Sequence, residues 1–139
     1  MNRNLNRAKQ LLEDGAALAI VNGGGELTFN ERGIKTLLSL QSGSLAGAFV
    51  ADKVVGKAAA MMMVRGGAIE VYAEIISEPA LEVFKNHKTI CLYGEVVPNI
   101  INRDKTGICP MEMAVLGVDD VERAYKILVE KTTGIHPKR

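Results

Sequence analysis

The chain has 139 residues, an ordinary length for one domain and short for two, so a single domain over residues 1–139 is expected. Hydrophobic residues make up 47% of it and aromatic residues only 4%, so the core must be built mainly from aliphatic side chains. With 17 Lys and Arg against 16 Asp and Glu, the net charge of +1 argues against sequence-independent binding of nucleic acid, and the few aromatic rings offer no stacking platform for single strands.

Helices and strands alternate along the chain. Helices are predicted where apolar residues recur at helical spacing, and strands where apolar residues alternate or cluster between turn residues. In chain order the predicted elements are a helix over 5–12, strands over 17–21 and 26–29, a helix from 30 to about 43, a strand over 44–50, a helix over 52–64, a strand over 69–75, a helix from 78, a strand over 89–97 and a helix from 119.

This order of elements predicts the α/β class. Strands that alternate with helices imply right-handed crossovers and parallel pairing, whereas the hairpin around 22–25 makes the sheet mixed. We therefore expect a three-layer α/β/α sandwich with a mixed five-stranded sheet. In the strand over 69–75, Glu70, Tyr72 and Glu74 alternate with apolar residues, which predicts either an edge strand or a face that a partner covers.

Two stretches that contain glycine do not make a phosphate loop. The glycines at 23–25 join two strands, whereas phosphate binding needs a loop between a strand and a helix. In the stretch 51–58, Ala51 stands in place of the first Walker A glycine and Ala58 in place of the hydroxyl that holds magnesium. We therefore reject an ATPase of this kind.

The first candidate site contains Asp52, Lys53 and Lys57. We predict these residues at the start of a helix that directly follows a buried strand, which is where open α/β sheets bind ligands. Lys53 and Lys57 are four residues apart and would share one face of that helix. The alternative is an N-cap aspartate followed by solvated lysines, which these residues alone slightly favour.

The second candidate site is the stretch 102–112. A polar turn leads to Cys109, and Pro110 suits the first position of a helix. Cys109 would be the N-cap, where backbone amides favour the thiolate, and Arg103 or Lys105 would add to that effect. Glu112 is at the capping-box position and could face the same spot. An unreactive buried cysteine before a helix start is the alternative, with equal weight.

Metal binding is not predicted. Zinc sites usually take Cys and His ligands at recognisable spacing, and the two histidines, His87 and His136, are isolated in the sequence. We expect neither a metal nor a cofactor.

On the stretches 30–34, 51–60 and 101–112, the chain resembles a prokaryotic family that has a domain of unknown function with a cytidine-deaminase-like fold. In active zinc deaminases one helix start carries His-x-Glu and the next carries Pro-Cys-x-x-Cys. By element order these motifs map near 30–33 and 51–55. There, Glu31 has no accompanying histidine and Asp52 replaces a thiolate. The resemblance therefore implies a retained pocket without the usual zinc.

Three functions follow as hypotheses. The first is binding or transformation of a small nucleobase-, nucleoside- or nucleotide-like ligand, with Asp52 as acid/base or orienting group and Cys109 as nucleophile. The ligand would also meet Glu31, Lys53, Lys57, Asn102, Arg103 and Glu112. The second is a non-catalytic regulatory or assembly protein with a vestigial pocket. The third is a thiol-based redox sensor that uses Cys109.

The expected setting is the reducing cytoplasm. The start of the chain is polar, without the apolar segment of a secretory signal, and no apolar run reaches the roughly 18 residues of a membrane span. Cys91 and Cys109 do not make a disulfide framework. The expected partners are a small-molecule ligand and further copies of the chain in a homo-oligomer, with neither nucleic acid nor membrane.

Overall fold

The helices and strands follow one another as predicted. A computed structural model describes residues 2–23, 25–31, 33–40, 43–101 and 105–134. The helices are α1 (Arg3–Glu13), α2 (Ile34–Leu38), α3 (Lys57–Gly66), α4 (Glu78–Asn86), α5 (Pro110–Ala114) and α6 (Val121–Thr133). The strands are β1 (Leu18–Asn22), β2 (Gly25–Phe29), β3 (Phe49–Val55), β4 (Glu70–Ser77) and β5 (Ile90–Val97). Of the helices in these ranges, none combines the length and the apolar character that crossing a membrane requires.

The strands form one mixed sheet of five strands in the order β2-β1-β3-β4-β5. β1 runs antiparallel to both β2 and β3, whereas β3, β4 and β5 are parallel. The predicted α/β class and the mixed five-stranded sheet are thereby confirmed. α3 joins β3 to β4, and α4 joins β4 to β5, so both crossover helices pack on the same face of the sheet.

Helices cover both faces of the sheet, but unequally. In β3, Val50 belongs to the larger hydrophobic core beneath α2, α3, α4 and α6, and its neighbour Ala51 belongs to the smaller core beneath α1. α1 buries Leu5, Ala8 and Leu12 against its side of the sheet. Among the described helices α1 is the only one in that smaller core, and the strands that it contacts are β1, β3 and, to a lesser extent, β4.

The prediction of a helix that starts at Asp52 is wrong. β3 continues to Val55, so Asp52 and Lys53 lie within the strand, and α3 begins only at Lys57, behind an extended Gly56. The predicted strand is correspondingly displaced, because residues 44–47 form turns. The β-branched side chains of Val54 and Val55 favour strand geometry up to the point where Gly56 breaks it.

The alternation in β4 has a different cause from an edge position. β4 lies between β3 and β5, and β5 is the edge strand. Tyr72 packs against the core beneath α1, and the Lys9 ammonium lies 4.7 Å from the centroid of its ring. Glu70, Tyr72 and Glu74 are half-buried, because α1 covers this side of β4 only in part.

Candidate functional site

A cavity of about 570 Å³ opens at the carboxyl ends of the three parallel strands. Val54, Ile75 and Val97, near the ends of β3, β4 and β5, contribute to its wall together with the starts of α2 and α3. This is the end of an open α/β sheet at which ligands generally bind. The other apolar lining residues include Ile34, Leu37, Ile100, Ile101, Pro110 and Met111, and the polar side chains of the lining are those of Asp52, Asn99, Cys109 and Glu112.

The Glu112 carboxylate is held at the start of α3. Its Oε1 accepts a hydrogen bond from the Lys57 amide at 2.5 Å, and its Oε2 accepts one from the Ala58 amide at 3.0 Å. These amides belong to the first turn of α3, where no carbonyl of the helix can reach them and where the helix dipole favours negative charge. Glu112 is 7% exposed, so both bonds are shielded from water. The N-cap residue, Gly56, has no side chain, and Glu112 therefore supplies the capping side chain from far away in the sequence.

This role differs from the capping box that the sequence predicts for Glu112. Cys109 is the N-cap residue of α5 and Pro110 its first residue, as predicted. The reciprocal side-chain bond is missing, however, because the Cys109 amide donates to the Ile100 carbonyl at 3.0 Å. The Glu112 carboxylate instead accepts hydrogen bonds from two amides in the first turn of α3. These amides have no carbonyl partner within their own helix.

Gly56 makes the approach of Glu112 possible. A Cβ atom built on Gly56 would collide with all three heavy atoms of the Glu112 carboxyl group. The φ angle of Gly56 is −97°, which any residue can adopt, so steric room rather than backbone freedom requires glycine here. The sequence shows the glycine at position 56, but it does not show that the Glu112 carboxyl group packs against it.

Lys57 does not point into the cavity. Its Nζ donates to the Leu116 carbonyl at 3.0 Å and lies 3.9 Å from Asp119 Oδ1, and the residue is only 8% exposed. Asp119 is fully exposed, so this ion pair contributes little beside the hydrogen bond. The start of α3 thus holds the segment 109–119 at two points, through Glu112 and through Leu116.

Asp52 is the most buried of the predicted site residues that lie on β3. It is 7% exposed and lines the cavity, opposite Leu18 of β1 and Ala73 of β4 in the sheet. Lys53 follows it in the strand and therefore points to the other face, away from the cavity. The predicted pairing of Lys53 with Lys57 on one helix face is wrong, since only Lys57 belongs to α3.

Cys109 lies in the wall of the cavity, on the segment that follows β5. In this segment Ile101 and Ile108 form an antiparallel bridge. The Cys109 carbonyl accepts hydrogen bonds from the Glu112 and Met113 amides at 2.9 and 3.0 Å, which fixes the thiol-bearing residue at the start of α5. Asp52, Cys109 and Glu112 are the predicted site residues that the structure brings together.

The remaining predicted residues are placed elsewhere or lie outside the described ranges. Glu31 is exposed and does not line the cavity, although Gly33 and Ile34 beside it do. Asn102 and Arg103 are outside the described residues. Asn99 lines the cavity and was not predicted. Asn99 could have been predicted from its position just after a predicted strand, because loops at the carboxyl ends of strands form ligand sites.

Cys91 is a poor candidate for thiol chemistry. Burial raises the pKa of its thiol to about 12, so almost none of it is thiolate at neutral pH. Neither Cys91 nor Cys109 is in a disulfide. Within the described ranges no three His, Cys, Asp or Glu side chains are grouped so that they could hold a metal ion.

The fold and the cavity define an α/β protein with a pocket at the carboxyl ends of its parallel strands. The chain belongs to the family described as "TM1506: Domain of unknown function (DUF1893)", which matches residues 6–132. It is similar to the crystal structure of the DUF1893 family protein TM1506 from Thermotoga maritima. The two are 29% identical, with a TM-score of 0.82 over 94% of this chain and 92% of that one. A comparison with curated proteins found no match.

Proposed function

We propose that the cavity binds a small nucleobase- or nucleoside-like ligand and that Asp52 is the residue that orients it. The observation that carries this proposal is a carboxylate, only 7% exposed, in the wall of a largely aliphatic cavity of about 570 Å³. Pockets for small molecules typically combine such apolar walls with a few polar groups that set orientation. A planar heterocycle would pack between the walls and donate an N–H group to Asp52.

A cytidine-deaminase-like fold is part of the same proposal. Its support is the convergence of two helix starts on one cavity, since Gly33 and Ile34 at α2 and Gly56 and Ala58 at α3 all line it. In zinc deaminases the two motifs of the metal site stand at two such helix starts. The mapping of the second motif moves from 51–55 to the residues around Gly56, because α3 begins later than the sequence predicts.

The residues at these helix starts do not fit a catalytic zinc ion. Such an ion usually takes three protein ligands, most often His and Cys. At α3 the Glu112 carboxylate already accepts bonds from two backbone amides, and neither described helix start supplies a His or Cys ligand. We therefore derive no step through zinc. Asp52 would act as hydrogen-bond acceptor or proton acceptor, and Cys109 would be the nucleophile if the ligand is transformed.

The charge of the lining favours a ligand without phosphate. Among the described lining residues, Asp52 and Glu112 are acidic and none is Lys or Arg. Lys57 is turned toward the Leu116 carbonyl and Lys53 lies on the other face of the sheet. A nucleobase or nucleoside, rich in N–H donors, suits this lining better than a nucleotide, which would need Arg103 as an added cation.

A thermal-shift screen of the whole chain tests the proposal. The panel contains nucleobases, nucleosides and the matching nucleotides, and a ligand at about 100 times its Kd should add roughly 2.7 kcal/mol to the free energy of unfolding. We expect a nucleobase or nucleoside to stabilise the protein, and Asp52→Asn to abolish that response. Lys53→Ala is the matched control, since the adjacent residue faces away from the cavity, and it should leave the response unchanged.

Two other outcomes of the screen would contradict the proposal in whole or in part. If no compound of the panel stabilises the wild-type chain, the ligand proposal fails and a non-catalytic protein with a vestigial pocket becomes the better hypothesis. If a compound stabilises wild type and Asp52→Asn alike, the ligand does not use Asp52. Cys109→Ser separates binding from chemistry, because loss of turnover with retained stabilisation would assign the nucleophile.

A further inference from the structure

The edge strand β5 has the properties of an interface rather than of a free surface. Ile90, Leu92, Tyr93 and Val96 are 55%, 37%, 47% and 38% exposed. No described strand pairs with its outer edge, so a row of backbone N–H and C=O groups is open along eight residues. Free edges of this length in monomers are normally protected by lysine, proline or a bulge. β5 contains neither lysine nor proline.

The other edge of the sheet provides a contrast. β2 has five residues, and its Glu26 carboxylate is paired with Arg7 of α1 at 2.7 Å. A short strand with a charged side chain tied across its surface is a poor template for pairing. The protection is therefore weaker on the longer and more apolar edge, where Glu95 is the single charged side chain of the strand.

We propose that β5 pairs with β5 of a second copy of this chain, antiparallel, across a two-fold axis that passes midway between Gly94 and the partner's Gly94. Such an axis, perpendicular to the sheet, would join two five-stranded sheets into one continuous sheet. A two-fold interface uses the same surface on both copies, so the strand must be complementary to itself.

The sequence of β5 meets this requirement in the register centred on Gly94. Directly opposite residues of an antiparallel pair lie on the same face. On the α1 face, Leu92 then lies opposite the partner's Val96. On the other face, Tyr93 lies opposite the partner's Glu95, which places a phenol donor beside a carboxylate. Two apolar contacts and two polar contacts form at once, and the two Glu95 side chains do not face each other.

The assignment of faces comes from the pairing of β5 with β4. Leu92 pairs with Tyr72, which packs beneath α1, and Tyr93 pairs with Ala73, which belongs to the larger core on the opposite face. An unrelated extended peptide could fill the open hydrogen bonds as well. Only a peptide with a matching sequence would place apolar side chains against Leu92 and Val96 and a carboxylate against Tyr93. A second copy of β5 has that sequence.

The first test is the mass of the whole chain in solution. Sedimentation should give twice the chain mass of 15.0 kDa for wild type. The double variant Leu92→Lys/Val96→Lys should sediment as a monomer with an unchanged circular dichroism spectrum. Leu27→Lys is the matched control, because Leu27 is an exposed leucine, 43% accessible, on the other edge strand, and it should remain dimeric.

The second test fixes the register and does not depend on the charged variants folding. In a Cys91→Ala/Cys109→Ser background, Leu92→Cys and Val96→Cys chains are mixed and oxidised. The mixture should give a disulfide-linked species of double mass, and each variant alone should not. A monomeric wild type, a dimer that Leu92→Lys/Val96→Lys leaves intact, or a mixture without the cross-link would each overturn the proposal. This inference does not rest on the ligand proposal.

Discussion

Lys57 and Glu112 stand 55 residues apart and are joined by a hydrogen bond of 2.5 Å from the Lys57 amide to Glu112 Oε1. The same lysine holds the end of the segment that carries Glu112, because its Nζ donates to the Leu116 carbonyl. One residue thus fixes two points of the segment 109–119, which forms part of the cavity wall. We therefore expect the shape of the cavity to depend on these two hydrogen bonds.

Removing the Glu112 side chain should destabilise the protein. In Glu112→Ala the amides of Lys57 and Ala58 lose their acceptor in a site closed to water. Losing a helix cap costs up to about 2 kcal/mol, and we expect a loss of this size in the free energy of unfolding measured with urea. Glu82→Ala, an exposed acid of α4, is the control and should change little. Equal stability of Glu112→Ala and wild type would show that water replaces the carboxylate.

Adding one methyl group at Gly56 should also destabilise the protein. The new Cβ of Gly56→Ala would collide with the Glu112 carboxyl group, and forced repacking of this kind costs about 1–3 kcal/mol. Gly117→Ala, at a glycine with no atom within 4 Å of the added Cβ, is the control. In a Glu112→Ala background the collision is absent, so Gly56→Ala should then cost much less. A cost independent of residue 112 would contradict the steric explanation.

Removing the hydrogen bond between the Lys57 side chain and the Leu116 carbonyl should make the cavity wall more mobile without unfolding the protein. Lys57→Met keeps the buried aliphatic stem of the lysine but removes the bond to the Leu116 carbonyl. We expect faster hydrogen exchange in peptides from 109–119, while peptides from β3 and β4 exchange as in wild type. Lys85→Met, an exposed lysine of α4, should leave all of these rates unchanged. Uniform acceleration over the whole chain would instead indicate global destabilisation.

The cysteines should differ in reactivity, and one of them should make stability depend on alkaline pH. Since burial raises the pKa of Cys91 to about 12, alkylation at pH 8 should label Cys109 well before Cys91, as mass spectrometry of each residue's peptide would record. Folding disfavours the Cys91 thiolate. Its contribution to stability is therefore complete below the pKa of the unfolded thiol, near 9, and declines as pH rises toward 12. Cys91→Ala should lack this decline, and preferential labelling of Cys91 would refute the assignment.

The sequence predicted the elements better than their ends. Local signals were sufficient where the determinant is local, as with Asp120, whose side chain caps α6, and Pro110, which begins α5. The start of α3 was placed too early because aspartate is a good N-cap in general, whereas here the cap is a carboxylate from a distant part of the chain. Contacts over such separations leave no periodic trace in a single sequence.

The residues of the candidate site were also predicted only in part. Asp52, Cys109 and Glu112 were found because acids and thiols near the ends of strands and the starts of helices are chemically conspicuous. The roles of Lys53 and Lys57 were misjudged because the helix was predicted to start at Asp52 but begins at Lys57, so that Lys53 lies in β3 and only Lys57 lies in α3. Most of the cavity wall is aliphatic, and aliphatic residues look alike in the core and in a binding site.

The cap that Glu112 supplies to α3 also fixes an order of events during synthesis. A helix capped by its own flanking residues is complete when those residues leave the ribosome, but α3 must wait for a residue 55 positions later. At the roughly 5–20 residues per second of translation, its first turn remains uncapped for seconds. Before Glu112 is added, the nascent chain already contains all five strands, β1 to β5, and the first turn of α3 is still without its cap. The C-terminal third of the protein therefore completes a helix that lies in the middle third.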